Sequence, residues 1–64
     1  MERSDQVGKW KIVKNDLGGI NFMGPKGEIL YLAPYASQKE NNAVIEALPK
    51  YVREYYFEHY RQEE

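Results

Sequence analysis

Apolar residues along this chain follow first the spacing of strands and then that of a helix. From Lys9 to Met23 they recur with period two, a short unalternating run follows at Ile29 to Leu32, with Gly, Pro and Asn cutting the stretches apart, and from Ser37 onward they recur with the 3.6-residue period of a helix. A run of strands followed by a helix restricts the fold to a small antiparallel sheet with its helix packed across one face. The expected class is α+β: a three-stranded antiparallel meander followed by one long C-terminal helix bent at Pro49. Residues 1–8 are mostly polar, with one Val, and end in Gly8, so they read as a flexible arm, and 9–62 read as a single domain.

Within the first part, Trp10, Ile12 and Lys14 share one face and Lys11 and Val13 the other. Asn15-Asp16-Leu17-Gly18-Gly19 is a turn, because Asn, Asp and Gly tolerate positive φ. Ile20 to Met23 is the second strand, with Ile20 and Phe22 on one face. Gly24-Pro25-Lys26-Gly27 is a second turn, with Pro25 presetting φ for its first central position. The third strand, Glu28 to Ala33, differs from the others because Ile29, Leu30, Tyr31 and Leu32 run apolar without alternation. Such a run suits a strand covered on both faces, yet the last strand of a meander lies at an edge. The conflict points to a partner or to a less simple strand order.

Ser37 with Glu40 three residues later is a capping box and starts the helix. At 100° per residue Val44, Ile45, Leu48, Tyr51, Val52, Tyr55, Tyr56 and His59 fall in one stripe, the expected core face. Phe57 falls on the opposite side and Tyr60 at the margin. Pro49 removes a donor and clashes with the carbonyl of Ile45, which bends a helix running from 38 to 62. The alternative is two helices meeting at Leu48 and Pro49; Leu48 is a poor N-cap for a separate second segment, which favours the single bent helix.

Three segments, Gly27-Glu28-Ile29-Leu30, Tyr35-Ala36-Ser37 and Ile45-Glu46-Ala47-Leu48, resemble the YegP-like family of small strand-strand-strand-helix repeats. The likeness lies in a Gly-Glu-Ile turn leading into a strand, a Tyr-x-Ser helix start and an Ile-x-x-Val-like helix face. It covers about residues 27–48. The chain departs from the pattern at Lys26, where the family has Asn, at Gln38, where it has Lys, and at Ala43-Val44, where it carries Asn-Gly. Its helix also continues past the expected end. The resemblance implies no known activity, but it does imply pairing of two such units, in tandem or as a dimer.

Sixty-four residues bury only about 60% of the surface exposed by the unfolded chain, and small domains compensate with disulfides, a metal or oligomerisation. Cysteine is absent and His59 is the one histidine, which leaves oligomerisation. No apolar run approaches the roughly 20 residues of a membrane span. The opening residues have no apolar segment of the kind a signal peptide carries, so a soluble cytoplasmic protein is expected. The net charge of −1 argues against a general polyanion binder, and it divides into +2 over residues 1–27 and −3 over residues 28–64, a weak dipole.

Few residues offer chemistry. Ser37 is absorbed as a cap, and Ser4 is the other serine. Glu54 and Glu58 lie one helical turn apart beside Arg53 and Arg61, as on a solvated face. His59, with an unperturbed pKa of about 6.5, is a pH-sensitive contact or simply a helix-end histidine favoured by the C-terminal dipole. Neither glycine turn has the length of a phosphate-binding loop. The expectation is a non-enzymatic protein-interaction module without cofactor, metal or small-molecule substrate: a small regulator, inhibitor or adaptor, self-associating as a homodimer. Its contact surface is expected at Tyr56, Phe57 and Tyr60, with Ile29 and Tyr31 from the strand, since aromatic residues give large contact area and Tyr keeps a polar tip. The alternative is a nucleic-acid-binding protein using Lys9, Trp10, Lys11 and Lys14 on the sheet.

Overall fold

The computed structural model describes residues 3–60, which form four strands and then two helices: β1 (Arg3–Val7), β2 (Trp10–Lys14), β3 (Ile20–Met23), β4 (Ile29–Leu32), α1 (Gln38–Glu46) and α2 (Lys50–His59). The sheet is antiparallel in the order β1-β2-β3-β4. The fold is therefore α+β, as the change of period predicts, but with a fourth strand and a second helix. Positions 1–2 of the expected arm and 61–62 of the expected helix lie outside the described residues.

The extra strand comes from the segment expected as an arm. Arg3 pairs with Lys14, Asp5 with Ile12 and Val7 with Trp10, leaving Gly8 and Lys9 as a two-residue hairpin loop. Gly8 has φ +61°, and Gly at the first central position is the requirement of a II′ turn, whose twist matches that of the strands it joins. The Tyr51 ring also lies against Gly8, closely enough that a Cβ there would meet it at 2.8 Å. The strand escapes a hydrophobicity reading because two of its three helix-side residues are Arg3 and Asp5 rather than apolar groups.

The second correction is at Pro49. The helix does not bend there but stops: α1 ends at Glu46, Leu48 donates its N–H to the carbonyl of Ile45, and Pro49 adopts an extended conformation (φ −59°, ψ 154°) as the N-cap of α2. Pro disfavours helical geometry in the residue before it as well as removing its own donor. Pro49 takes the capping position itself, its carbonyl accepting from Arg53 N–H at 2.9 Å, so the poor capping quality of Leu48 does not matter. Leu48 is instead buried in the corner between the helices. At the start of α1 the expected capping box forms: Glu40 N–H donates to Ser37 Oγ and Ser37 N–H to Glu40 Oε1, both at 3.2 Å.

Both helices lie on one face of the sheet. The core between the layers holds Val7, Trp10, Ile12, Ile20, Phe22 and Leu32 from the strands and Ile45, Leu48, Val52, Tyr56 and Tyr60 from the helical part. Phe22, Ile12 and Val52 are its most deeply enclosed side chains. The Phe22 and Tyr56 rings meet edge to face with centroids 5.8 Å apart, a favourable arrangement of two ring quadrupoles.

Candidate interaction surface

The opposite face of the sheet carries no helix. Strand alternation places Gln6, Lys11, Met23 and Ile29 in one cross-strand row there, and Ser4, Val13, Asn21 and Tyr31 in the next. The β1 end of these rows is polar and the β4 end apolar. Ile29 is 69% exposed and Tyr31 45%, with half-buried Met23 beside Ile29 and half-buried Asn21 beside Tyr31. The Tyr31 ring reaches back along the sheet so that its hydroxyl covers Gly19, where a Cβ would collide with it. The inner residues of the same strand, Leu30 and Leu32, pack against the core. The unalternating run is thus an edge strand with its inner face satisfied and its outer face open, which is how the conflict seen in the sequence resolves.

The edge of β4 is open as well. Gly24 N–H donates to Glu28 C=O at 2.8 Å, making these two a hydrogen-bonded pair. Bonded and non-bonded pairs alternate in an antiparallel ladder, so Phe22/Leu30 and Ile20/Leu32 are bonded while Met23/Ile29 and Asn21/Tyr31 are not. The N–H and C=O groups of Ile29 and Tyr31 therefore point away from β3. Among the described residues none meets a backbone partner there.

The five expected interface residues do not come together. Ile29 and Tyr31 lie on the open sheet face and Phe57, 40% exposed, on the helical side of the molecule. Tyr56 and Tyr60 are core residues, 8% and 6% exposed, and this corrects their assignment to the surface. Tyr56 was already in the core stripe of the helical wheel. Tyr60 turns inward because the break at Pro49 gives α2 a core face of its own: Val52, Tyr56 and Tyr60, each four residues apart, are its buried positions, and Tyr60 N–H still donates to the Tyr56 carbonyl at 2.9 Å.

What Tyr60 does instead is join the chain ends. Its hydroxyl donates to Asp5 Oδ2 at 2.5 Å. Arg3 Nε donates to the same oxygen at 3.1 Å and Arg3 Nη1 to the carbonyl of His59 at 3.2 Å, while the guanidinium lies 4.3 Å from the centre of the Tyr60 ring. The hydrogen bond from Tyr60 holds the Asp5 carboxyl below its usual pKa against an opposing effect of partial burial, and the charge and hydrogen bond of Arg3 act in the same direction as Tyr60. Burial, followed by the bond to Asp5 and its charge, raises the Tyr60 phenol. His59 Nε2 lies 3.4 Å from Glu58 Oε1, and its ring lies 4.2 Å from that of Tyr55.

The residues of the nucleic-acid alternative are also separated. Trp10 is buried between the sheet and the helices, Lys14 shares its inner parity, Lys11 faces outward and Lys9 sits in the hairpin loop. A shallow cleft of about 280 Å³ between α1 and β4 is lined by residues that include Leu32, Asn41, Asn42, Ile45 and Tyr56, with no carboxylate or imidazole among its lining. Among the described residues no cluster of His, Cys, Asp or Glu has the makings of a metal site, and no helix is long and apolar enough to cross a membrane. No family model, no curated protein and no solved structure matches this chain.

Proposed function

We propose that this chain is a non-enzymatic protein-interaction module that associates with itself through the open side of β4, acting as a small regulator, inhibitor or adaptor. The observation that carries this reading is the exposure of Ile29 and Tyr31, with Met23 beside Ile29, on a sheet face that no helix covers. An edge strand with apolar outer residues and no charge of its own is a pairing template that folded proteins normally blunt. The size of the chain supports the same reading, since association adds buried area to a domain too small to bury much by itself. The pairing of two units implied by the YegP-like resemblance agrees with it, and the segment carrying that resemblance includes β4.

Light scattering across a range of concentration tests the reading. The expected result is a mass that climbs toward twice that of the chain and falls back when Ile29 and Tyr31 are both replaced by Lys. Phe57→Glu on the helical side should leave the association intact. A wild-type protein that stays monomeric throughout removes self-association from the reading.

A further inference from the structure

We infer that two copies pair β4 with β4 in antiparallel register about a two-fold axis at Leu30, joining two four-stranded sheets into one of eight strands. This rests on the self-association proposed above and specifies its geometry. The outward N–H and C=O groups of β4 belong to Ile29 and Tyr31, two residues apart. In an antiparallel ladder the partners of such groups are also two residues apart. With Leu30 opposite Leu30 of the second copy, Ile29 of each chain faces Tyr31 of the other, and four backbone hydrogen bonds form with every donor meeting an acceptor. No register shifted by two residues pairs all of them.

The side chains fit the same register. On the open face each Ile29 lies across from a Tyr31, an aromatic and β-branched cross-strand pair of the kind that stabilises sheets. On the helix side the two Leu30 chains meet. Charge raises no obstacle: from Ile29 to Gln38 there is none, so no like charges face one another across the axis. The β1 edge lacks this fit, since its outward backbone groups belong to Ser4 and Gln6, which offer no apolar cover for a new ladder. Four residues of strand cover well under the roughly 800 Å² per partner of a standard interface, so the dimer is weak and its population depends on concentration.

The test is amide hydrogen exchange on the isotopically labelled full chain at about 20 µM and about 1 mM, with the mass measured in the same samples. Edge pairing predicts that the Ile29 and Tyr31 amides gain roughly tenfold protection or more at the higher concentration while those of Ser4 and Gln6 do not change. Ile29→Pro deletes one outward donor at the first residue of an edge strand, where Pro is tolerated, and should abolish both the mass increase and the protection at Tyr31. Tyr31→Lys, which leaves every backbone group in place and puts a charge on the edge, should do the same. A dimer whose Ile29 and Tyr31 amides still exchange as in the monomer overturns edge pairing and leaves self-association standing. A monomer at about 1 mM overturns both.

Discussion

The two edge strands of the sheet differ in what holds them. β1 is short of apolar residues, and its helix-side positions carry Arg3 and Asp5, which bind the end of α2 through the Tyr60 hydroxyl and the His59 carbonyl. β4 is apolar throughout, places Leu30 and Leu32 in the core and leaves Ile29 and Tyr31 open. Beyond the ladder that each shares with its neighbour, one edge is fastened to the helices by polar groups, and the other meets them through the apolar side chains of Leu30 and Leu32 and offers a second apolar face. The contrast separates two uses of an edge: β1 closes the monomer and β4 is available to another molecule. Polar character at an edge thus reports an internal commitment as readily as it reports exposure.

The most damaging way to break this contrast is to remove the anchor of β1. Tyr60→Ala should cost about 3 kcal/mol, as for a buried aromatic truncated to Ala, read as a shift in the urea unfolding curve. The amides of β1 should lose protection before those of β3. Equal loss in both strands would show that β1 does not depend on the helix end.

Gly8→Ala attacks the same strand through its hairpin. It places a side chain at positive φ against the Tyr51 ring and should cost about 1–2 kcal/mol in the same assay. Tyr60→Phe keeps the ring and deletes the hydroxyl, for about 1 kcal/mol.

The hydroxyl bond also makes the β1 side pH-dependent at both extremes. Asp5 holds its proton less readily folded than unfolded, so its contribution is present above the ordinary carboxylate value of 3.8 and is lost as pH falls through the lower folded value. Tyr60 holds its proton more readily folded, so its contribution is intact below 10.0 and is lost as pH rises beyond it. Unfolding curves of Asp5→Asn should show a flatter acid limb than the wild type, and those of Tyr60→Phe a flatter alkaline limb. At β4 the expected effect on the monomer is smallest: Ile29→Lys should change its stability by less than about 0.5 kcal/mol, since an exposed residue makes few internal contacts.

Much of this was legible in the sequence where one local rule acted alone. The alternation at Trp10, Ile12, Ile20 and Phe22 marks the inner face, the capping box marks the start of α1, and the unbroken run at Ile29 to Leu32 marks a strand with one face left over. The misreadings came where a residue answered to something distant. Arg3 and Asp5 make a poor strand by composition because their partners lie at the other end of the chain, although Gly8-Lys9 ahead of an alternating strand was a hairpin signal. Pro49 reads in the sequence as an obstacle inside a helix, whereas in the fold it is the cap of the next one. Of the proposed surface, Ile29 and Tyr31 are recoverable from period two, and the burial of Tyr60 is not, because a wheel drawn through Pro49 averages the faces of two separate helices and puts Tyr60 at the margin of a stripe that α2 alone would centre on Tyr56.

The bond between Tyr60 and Asp5 has a kinetic consequence too. Each hairpin joins neighbours in the sequence and closes a small loop, whereas this contact spans 55 residues and can form only after the sheet and both helices have brought its partners near. Substitutions at Asp5 or Tyr60 should therefore hasten unfolding far more than they retard folding, so that the clasp governs how long a folded molecule lasts rather than how quickly one is made.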